Sequence, residues 1–301
     1  MRILVTGAAG FVGQHLTCLL RSRGEDVTEW RFSDGDAGSG VQLDLCDARA
    51  VVRQDVQGVE AIVHLAGLAQ VSRSFSEPQL FMSVNTAVVT NLFESLLAQH
   101  SRPRILLVST GGVYSADAEP ITEDSPVAAA NPYEVSKLAQ EMLAAYYMQR
   151  GLEVIVVRPF NHIGPGQQPG YLVPDICSQV ASLERAGGGT ITVGNLGSAR
   201  DYTDVRDVVA AYHSLLEHGR SGETYNVCSG VAYTGEEILK RICSLSTVEL
   251  TVESSEALHR PTEVSTIHAS NAKLRDDTHW APAIPLDQTL ADTLAYWRDR
   301  S

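Results

Sequence analysis

Tyr133 and Lys137 stand four residues apart in the segment Asn131-Pro132-Tyr133-Glu134-Val135-Ser136-Lys137. On a helix that spacing puts both side chains on one face. An ammonium beside a phenol stabilises the phenolate, so Lys137 is expected to draw the Tyr133 pKa from about 10 towards neutrality. Such a tyrosine can pass a proton to a carbonyl oxygen as hydride reaches the carbon, which is general acid catalysis. Thr110 follows an apolar run one strand and loop earlier, and its hydroxyl can bond the same oxygen. Thr110, Tyr133 and Lys137 are therefore the candidate catalytic residues. A surface Tyr and Lys would show the same spacing, so the rest of the chain must decide.

A second pattern favours the chemical reading. Thr6-Gly7-Ala8-Ala9-Gly10-Phe11-Val12-Gly13 follows a short apolar run and opens a helix-like stretch. Gly7, Gly10 and Gly13 let the backbone turn tightly and approach a pyrophosphate. The helix N-terminus beyond them, at Phe11 and Val12, offers N–H groups and positive dipole. A plain strand–helix turn is the bland alternative. Where a second strand would end, an acidic residue binds a ribose 2′-OH, whereas an arginine accommodates a 2′-phosphate. That position holds Arg31, which favours NADP(H); a solvent-facing Arg31 with NAD(H) held elsewhere is the other possibility.

The elements that must position these residues are legible as alternation. Apolar, β-branched runs at residues 2–5, 27–30, 61–65, 104–109 and 154–158 read as strands. Helix-like stretches at 11–21, 83–99 and 133–150 lie between them. Asn131 as N-cap, Pro132 at the first helical position and Glu134 placed for a capping box mark the last start. Continuous apolar strands alternating with helices predict an α/β fold, a Rossmann-type doubly wound parallel sheet. Residues 159–170 are rich in Gly, Pro and Gln and read as loop. Further strands are expected at 190–193, 224–227 and 248–252, and helices at 174–185, 205–217, 234–245 and 286–298. The expected division is a dinucleotide-binding domain over 1–160, with 205–228 returning to it. A smaller C-terminal α/β substrate lobe takes 161–204 and 229–301.

Bulk properties exclude other classes. A formal net charge of −13 argues against nucleic-acid binding, which needs a basic face. Five scattered cysteines with no C-x-x-C pair argue against a disulfide framework and a metal site. No continuous apolar run approaches the roughly 18 residues of a membrane span. Glycines following the short apolar stretch at residues 3–5 are unlike a signal peptide. A cytoplasmic location is expected.

Beyond these patterns, the chain resembles the extended short-chain dehydrogenases/reductases that act on nucleotide sugars. The resemblance runs nearly end to end. It is most specific in residues 131–137 (NPYEVSK), 158–167 (RPFNHIGPGQ), 193–208 (VGNLGSARDYTDVRDV) and 225–230 (YNVCSG). Arg260-Pro261-Thr262-Glu263-Val264 and Trp280-Ala281-Pro282 add two shorter matches. It implies adenine contacts from Asp44 and Leu45, and further cofactor contacts from Leu65, Ala66, Gly67 and Ser109. Phe160 is expected to flank the nicotinamide. For the substrate, it implies Asn161 at the sugar diphosphate, Val173 at the base, and Asn195 and Arg200 along the nucleotide. Arg260 is implied on the diphosphate and Glu263 near its ribose. Arginine forks suit a diphosphate, although surface salt bridges would use the same residues. His162 is read as a structural loop histidine.

The implied activity is NAD(P)H-dependent reduction of the C4 ketone of GDP-4-keto-6-deoxy-D-mannose to a GDP-6-deoxyhexose, GDP-D-rhamnose foremost. Relatives that dehydrate the sugar carry acidic side chains directly after the threonine, and a related epimerase-reductase places a Cys there. This chain has Gly111 and Gly112, which cannot transfer protons. Ser115 stands where most relatives have glycine, with no mechanism attached. The rivals are a nucleotide-sugar 4-epimerase holding NAD tightly, and a non-catalytic dinucleotide sensor. The resemblance also implies a homodimer through helices 83–99 and 133–150.

Overall fold

The computed structural model describes residues 1–32, 40–115, 119–255 and 266–300. Its strands are β1 (Arg2–Thr6), β2 (Asp26–Arg31), β3 (Val41–Gln42), β4 (Ala61–His64), β5 (Arg104–Val108), β6 (Glu153–Pro159), β7 (Asn161–Ile163), β8 (Gly189–Val193), β9 (Ala199–Asp204), β10 (Thr224–Val227), β11 (Ala232–Thr234) and β12 (Leu250–Ser254). The helices are α1 (Phe11–Ser22), α2 (Ala48–Val52), α3 (Val71–Ser76), α4 (Pro78–Ala98), α5 (Pro132–Met148), α6 (Leu172–Ala186), α7 (Val205–His218), α8 (Gly235–Ser244), α9 (Ala272–Thr278) and α10 (Leu286–Arg298).

Seven strands form one parallel sheet in the order β10-β6-β5-β4-β1-β2-β3. Successive side chains feed opposite faces, as strand geometry requires. Ile3, Val5, Ala61, Val63, Leu106, Ile155 and Val157 join α1 and α7 in one core. Leu4, Ile62, Ile105, Leu107 and Val154 join α2, α4 and α5 in the other. Burial on both faces is why these strands read as continuous apolar runs. Strand order reverses at β1, between β2 and β4, so the strands' carboxyl ends open a crevice there. A third core, built on α6, α8 and α10, fills the second lobe. That lobe contains a sheet ordered β11-β9-β7 and a β12-β8 pair.

Three differences from the sequence expectations have physical causes. Residues 159–170 are not all loop: β7 lies within them and pairs in parallel with β9. No apolar period marks β9, because it buries polar side chains, among them Asp201, Thr203 and Asp204. α4 starts at Pro78, five residues before the expected position, with the proline at its N-terminus. α4 is also the one described helix long and apolar enough to cross a membrane by composition. Phe81, Val88, Leu92 and Phe93 are nonetheless buried within this fold.

Candidate active site

The glycine turn connects β1 to α1. Gly7 has φ +70°, and a Cβ there would lie 2.8 Å from the Ala66 main-chain nitrogen. A Cβ at Gly13 would lie 2.4 Å from the Gly7 carbonyl oxygen. Neither position therefore tolerates a side chain. Gly10 is the exposed N-cap of α1, and the helix has no side-chain cap and no acidic residue in its first turn. An uncapped N-terminus with this close backbone approach fits a pyrophosphate.

Arg31 ends β2 as expected, but it is not solvent-facing. Its guanidinium pairs with Glu29, whose side chain is buried, and Arg21 reaches the same carboxylate at 2.6 Å. Asp44 is exposed, and its carboxylate accepts the Cys46 N–H at 2.8 Å. The Leu45 side chain belongs to the α4 core, and its carbonyl accepts from Asn91 at 2.8 Å. Across the crevice, Thr6 holds the strand end: its carbonyl accepts the Leu65 N–H and its hydroxyl the Ala66 N–H. Gly67 has φ +148°, and a Cβ there would meet the Asn85 amide oxygen at 2.8 Å.

α5 carries the reacting pair. Asn131 caps it by accepting the Glu134 N–H at 3.0 Å, and Pro132 opens the first turn. The Glu134 carboxylate departs from the expected capping box. It accepts the Ala130 N–H at 2.7 Å, one residue before the N-cap. The Thr110 side chain lies close enough to the Tyr133 phenol to lower its pKa, so these two candidate residues do come together. Lys137 lies almost wholly buried one turn on, donating to the Val108 carbonyl at 2.8 Å and to the Gln140 amide oxygen at 3.0 Å.

The electrostatics correct the sequence argument. Burial raises the Tyr133 pKa above the ordinary phenol value, and the Thr110 side chain opposes this only in part. Lys137 is itself lowered to about 8, because desolvation disfavours its charge and Glu141 restores only part. His64, beside Lys137 at the end of β4, is lowered to about 3 by burial and then by that ammonium, and so is neutral.

The Ser109 hydroxyl donates to the Glu141 carboxylate. Val173 is 1% exposed, and its side chain packs in the core of the second lobe. Phe160 is buried, with its ring stacked against Tyr114 at 6.2 Å. That ring explains Gly111, where a Cβ would lie 2.8 Å from it. A Cβ at Gly112 would lie 2.9 Å from the Glu134 carboxylate. The Phe160 ring thus crowds Gly111, whereas the flexible Glu134 side chain could move aside at Gly112.

In the second lobe, Asn161 is exposed at the start of β7 and Asn195 is exposed before β9, where its side chain accepts the Gly197 N–H. Arg200 lies on β9, partly buried. His162 stacks on Phe11 with ring centroids 6.1 Å apart, linking the glycine turn to this lobe. Arg260 and Glu263 lie outside the described residues. Among the described residues, no group of three His, Cys, Asp or Glu could hold a metal.

Sequence reasoning missed the polar residues behind Lys137, namely the buried Asn85, Gln140 and Arg158 and the half-buried Glu141. Their signal was helical spacing: Gln140 and Glu141 fall three and four residues after Lys137.

This glycine turn, parallel sheet and Thr–Tyr–Lys arrangement define a dinucleotide-dependent enzyme of the short-chain type. The sequence profile of the NAD dependent epimerase/dehydratase family matches residues 3–228, and the chain belongs to that family. It is 34% identical to the GDP-6-deoxy-D-mannose reductase of Pseudomonas aeruginosa, covering 99% of this chain and 98% of that protein. It is 31% identical to a GDP-6-deoxy-D-talose 4-dehydrogenase of Aggregatibacter actinomycetemcomitans, covering 91% and 90%. Its structure matches that of RMD from Pseudomonas aeruginosa complexed with NADPH, with a TM-score of 0.90 and 33% identity over 100% of this chain and 99% of the other.

Proposed function

We propose that this chain reduces the C4 ketone of GDP-4-keto-6-deoxy-D-mannose with NADPH, giving a GDP-6-deoxyhexose, GDP-D-rhamnose foremost. The observation that carries the reading is the Thr110 side chain beside the Tyr133 phenol, with Lys137 buried one turn behind it. Full-length likeness to a GDP-6-deoxy-D-mannose reductase supports the choice of sugar.

NADPH, when bound, supplies hydride to C4. The chain's own groups manage the oxygen. Thr110 and Tyr133 bond it together, and the Tyr133 phenol gives up its proton as negative charge develops. A phenol held protonated by burial is in the correct state for a proton donor. Lys137 then stabilises the phenolate that remains. Phe160 keeps water from the reacting face. Gly7, Gly10 and Gly13 with the first turn of α1 receive the pyrophosphate, and Arg31 receives the 2′-phosphate. Gly67, the backbone at Ser109, and Asp44 complete the cofactor's surroundings. Asn161, Asn195, Arg200, Arg260 and Glu263 bind the GDP moiety.

The test is NADPH oxidation with freshly made GDP-4-keto-6-deoxymannose. Wild type should turn over, Tyr133→Phe should lose about 10²–10⁴ of the rate while still binding NADPH, and the product's C4 configuration names the sugar. No oxidation despite NADPH binding would end this reading. A copurifying oxidised cofactor without net turnover would point to a 4-epimerase instead.

We further place the protein in the cytoplasm as a homodimer joined through α4 and α5. The support is that α5 leaves Val135, Met142 and Tyr146 exposed, Met142 to 75%. Sedimentation should return a dimer for wild type and a monomer for Met142→Glu; a monomeric wild type would refute the assembly.

A further inference from the structure

Between α4 and α5, directly behind the reacting pair, lies a run of polar side chains that a helix interface has no packing reason to contain. Asn85, Ser136 and Gln140 are 0% exposed and Lys137 is 6% exposed. All are hydrogen-bonded. Asn85 grips Leu68 on both sides, accepting its N–H at 2.7 Å and donating to its carbonyl at 3.1 Å, and donates to Ser136 at 2.8 Å. Gln140 donates to the Asn85 main-chain carbonyl at 2.6 Å and accepts from Lys137 at 3.0 Å. The run therefore extends from the crevice segment beyond β4, through α4, to the catalytic ammonium.

We infer that Gln140 is a positioning residue, an amide clamp that fixes the Lys137 ammonium between α4 and the end of β5. The inference rests on the role given above to Lys137. An ammonium has three N–H donors and no acceptor. The Val108 carbonyl and the Gln140 amide oxygen take two, leaving one for the crevice among the described residues.

Glutamine suits the place because it must accept and donate at once. Glutamate would lack the N–H that reaches Asn85, and methionine or leucine would lack both groups. The clamp is also neutral, so it orients the ammonium without adding a charge to hold its proton. The other groups facing Lys137 are few. His64 comes from β4 and is neutral, and Glu141 from α5 is occupied by Arg158 and Ser109. Only Glu141 opposes the desolvation that lowers Lys137 to about 8. The clamp residue is thus the place where one substitution resets the ammonium's titration.

The chain has three lysines, Lys137, Lys240 and Lys273, so protein labelled with ¹³C at lysine Cε gives three resolvable titrations. Lys137→Met assigns the first. In wild type the Lys137 midpoint is expected near 8, below the ordinary lysine value of 10.5. Gln140→Glu should raise it by about 1–3 in pH, and Gln140→Met should lower it. The alkaline limb of kcat/KM should follow the same order. An identical Lys137 midpoint in wild type and variants overturns the inference. If Gln140→Glu does not fold, the direction of the Gln140→Met shift decides alone. The titration needs neither cofactor nor sugar. Moving midpoints with no sugar reduction would therefore indict the proposed reaction, and a working reductase with unmoving midpoints would indict the clamp.

Discussion

Arg158 on β6 grips Glu141 on α5 at two points, Nε to Oε1 at 3.0 Å and Nη2 to Oε2 at 2.6 Å. The same guanidinium stacks over the Tyr114 ring, 4.6 Å from its centroid, while Glu141 accepts from the Ser109 hydroxyl. This pair ties together the strand end that carries Thr110 and the helix that carries Tyr133 and Lys137.

Removing one partner strands a buried charge. Arg158→Ala leaves the Glu141 carboxylate uncompensated and should destabilise the fold by about 3 kcal/mol in urea denaturation. Arg158→Lys keeps the charge but loses the planar fork and the stacking, so it should recover only part of that loss. Full recovery by lysine would show that charge alone, without two-point geometry, holds the strand end.

Lys137 should cost stability where it serves chemistry. Its folded pKa of about 8 lies below the ordinary lysine value of 10.5, so between them the unfolded chain binds the extra proton. Stability contributed through this group therefore rises with pH across that window. Relative to Lys137→Met, which does not titrate, wild type should gain about 2 kcal/mol between about pH 7.5 and 9.5. Parallel stability curves for the two proteins would mean that Lys137 titrates normally.

Arg31 should discriminate between cofactors. Arg31→Ser is expected to weaken NADPH binding about tenfold or more and to leave NADH binding nearly unchanged, read by fluorescence titration. The fold should survive, because Arg21 still pairs with the buried Glu29 carboxylate. Equal losses for both cofactors would remove Arg31 from the 2′-phosphate role.

Much of this is legible in the sequence. The glycine turn, the central strands and the Tyr133–Lys137 spacing each rest on local rules of backbone freedom, burial and helical period. α10 matches its expected span, Leu286–Arg298. Legibility fails where chemistry overrides periodicity. β9 buries Asp201 and Asp204 because Ser229, Gly230, Arg206 and Thr289 supply partners, which no apolar pattern announces. Nor could spacing reveal that desolvation governs Tyr133, since burial depends on the helices and strands packed around it. Val173 shows the same limit: the resemblance that implied a base contact there said nothing of its side chain's burial.

The path of the chain carries one last consequence. After β6 it enters the second lobe, then comes back through α7 to lay β10 on the sheet's edge. It leaves again for α8, returns with Leu274 and Trp280 in the first core, and ends with Leu290 and Leu294 in the third. The two bodies are therefore stitched rather than hinged. No single cut yields either one whole, and a chimera exchanging substrate lobes between relatives would need several junctions. Sliding of packed surfaces, not opening about one linker, is the motion such stitching leaves to the cleft.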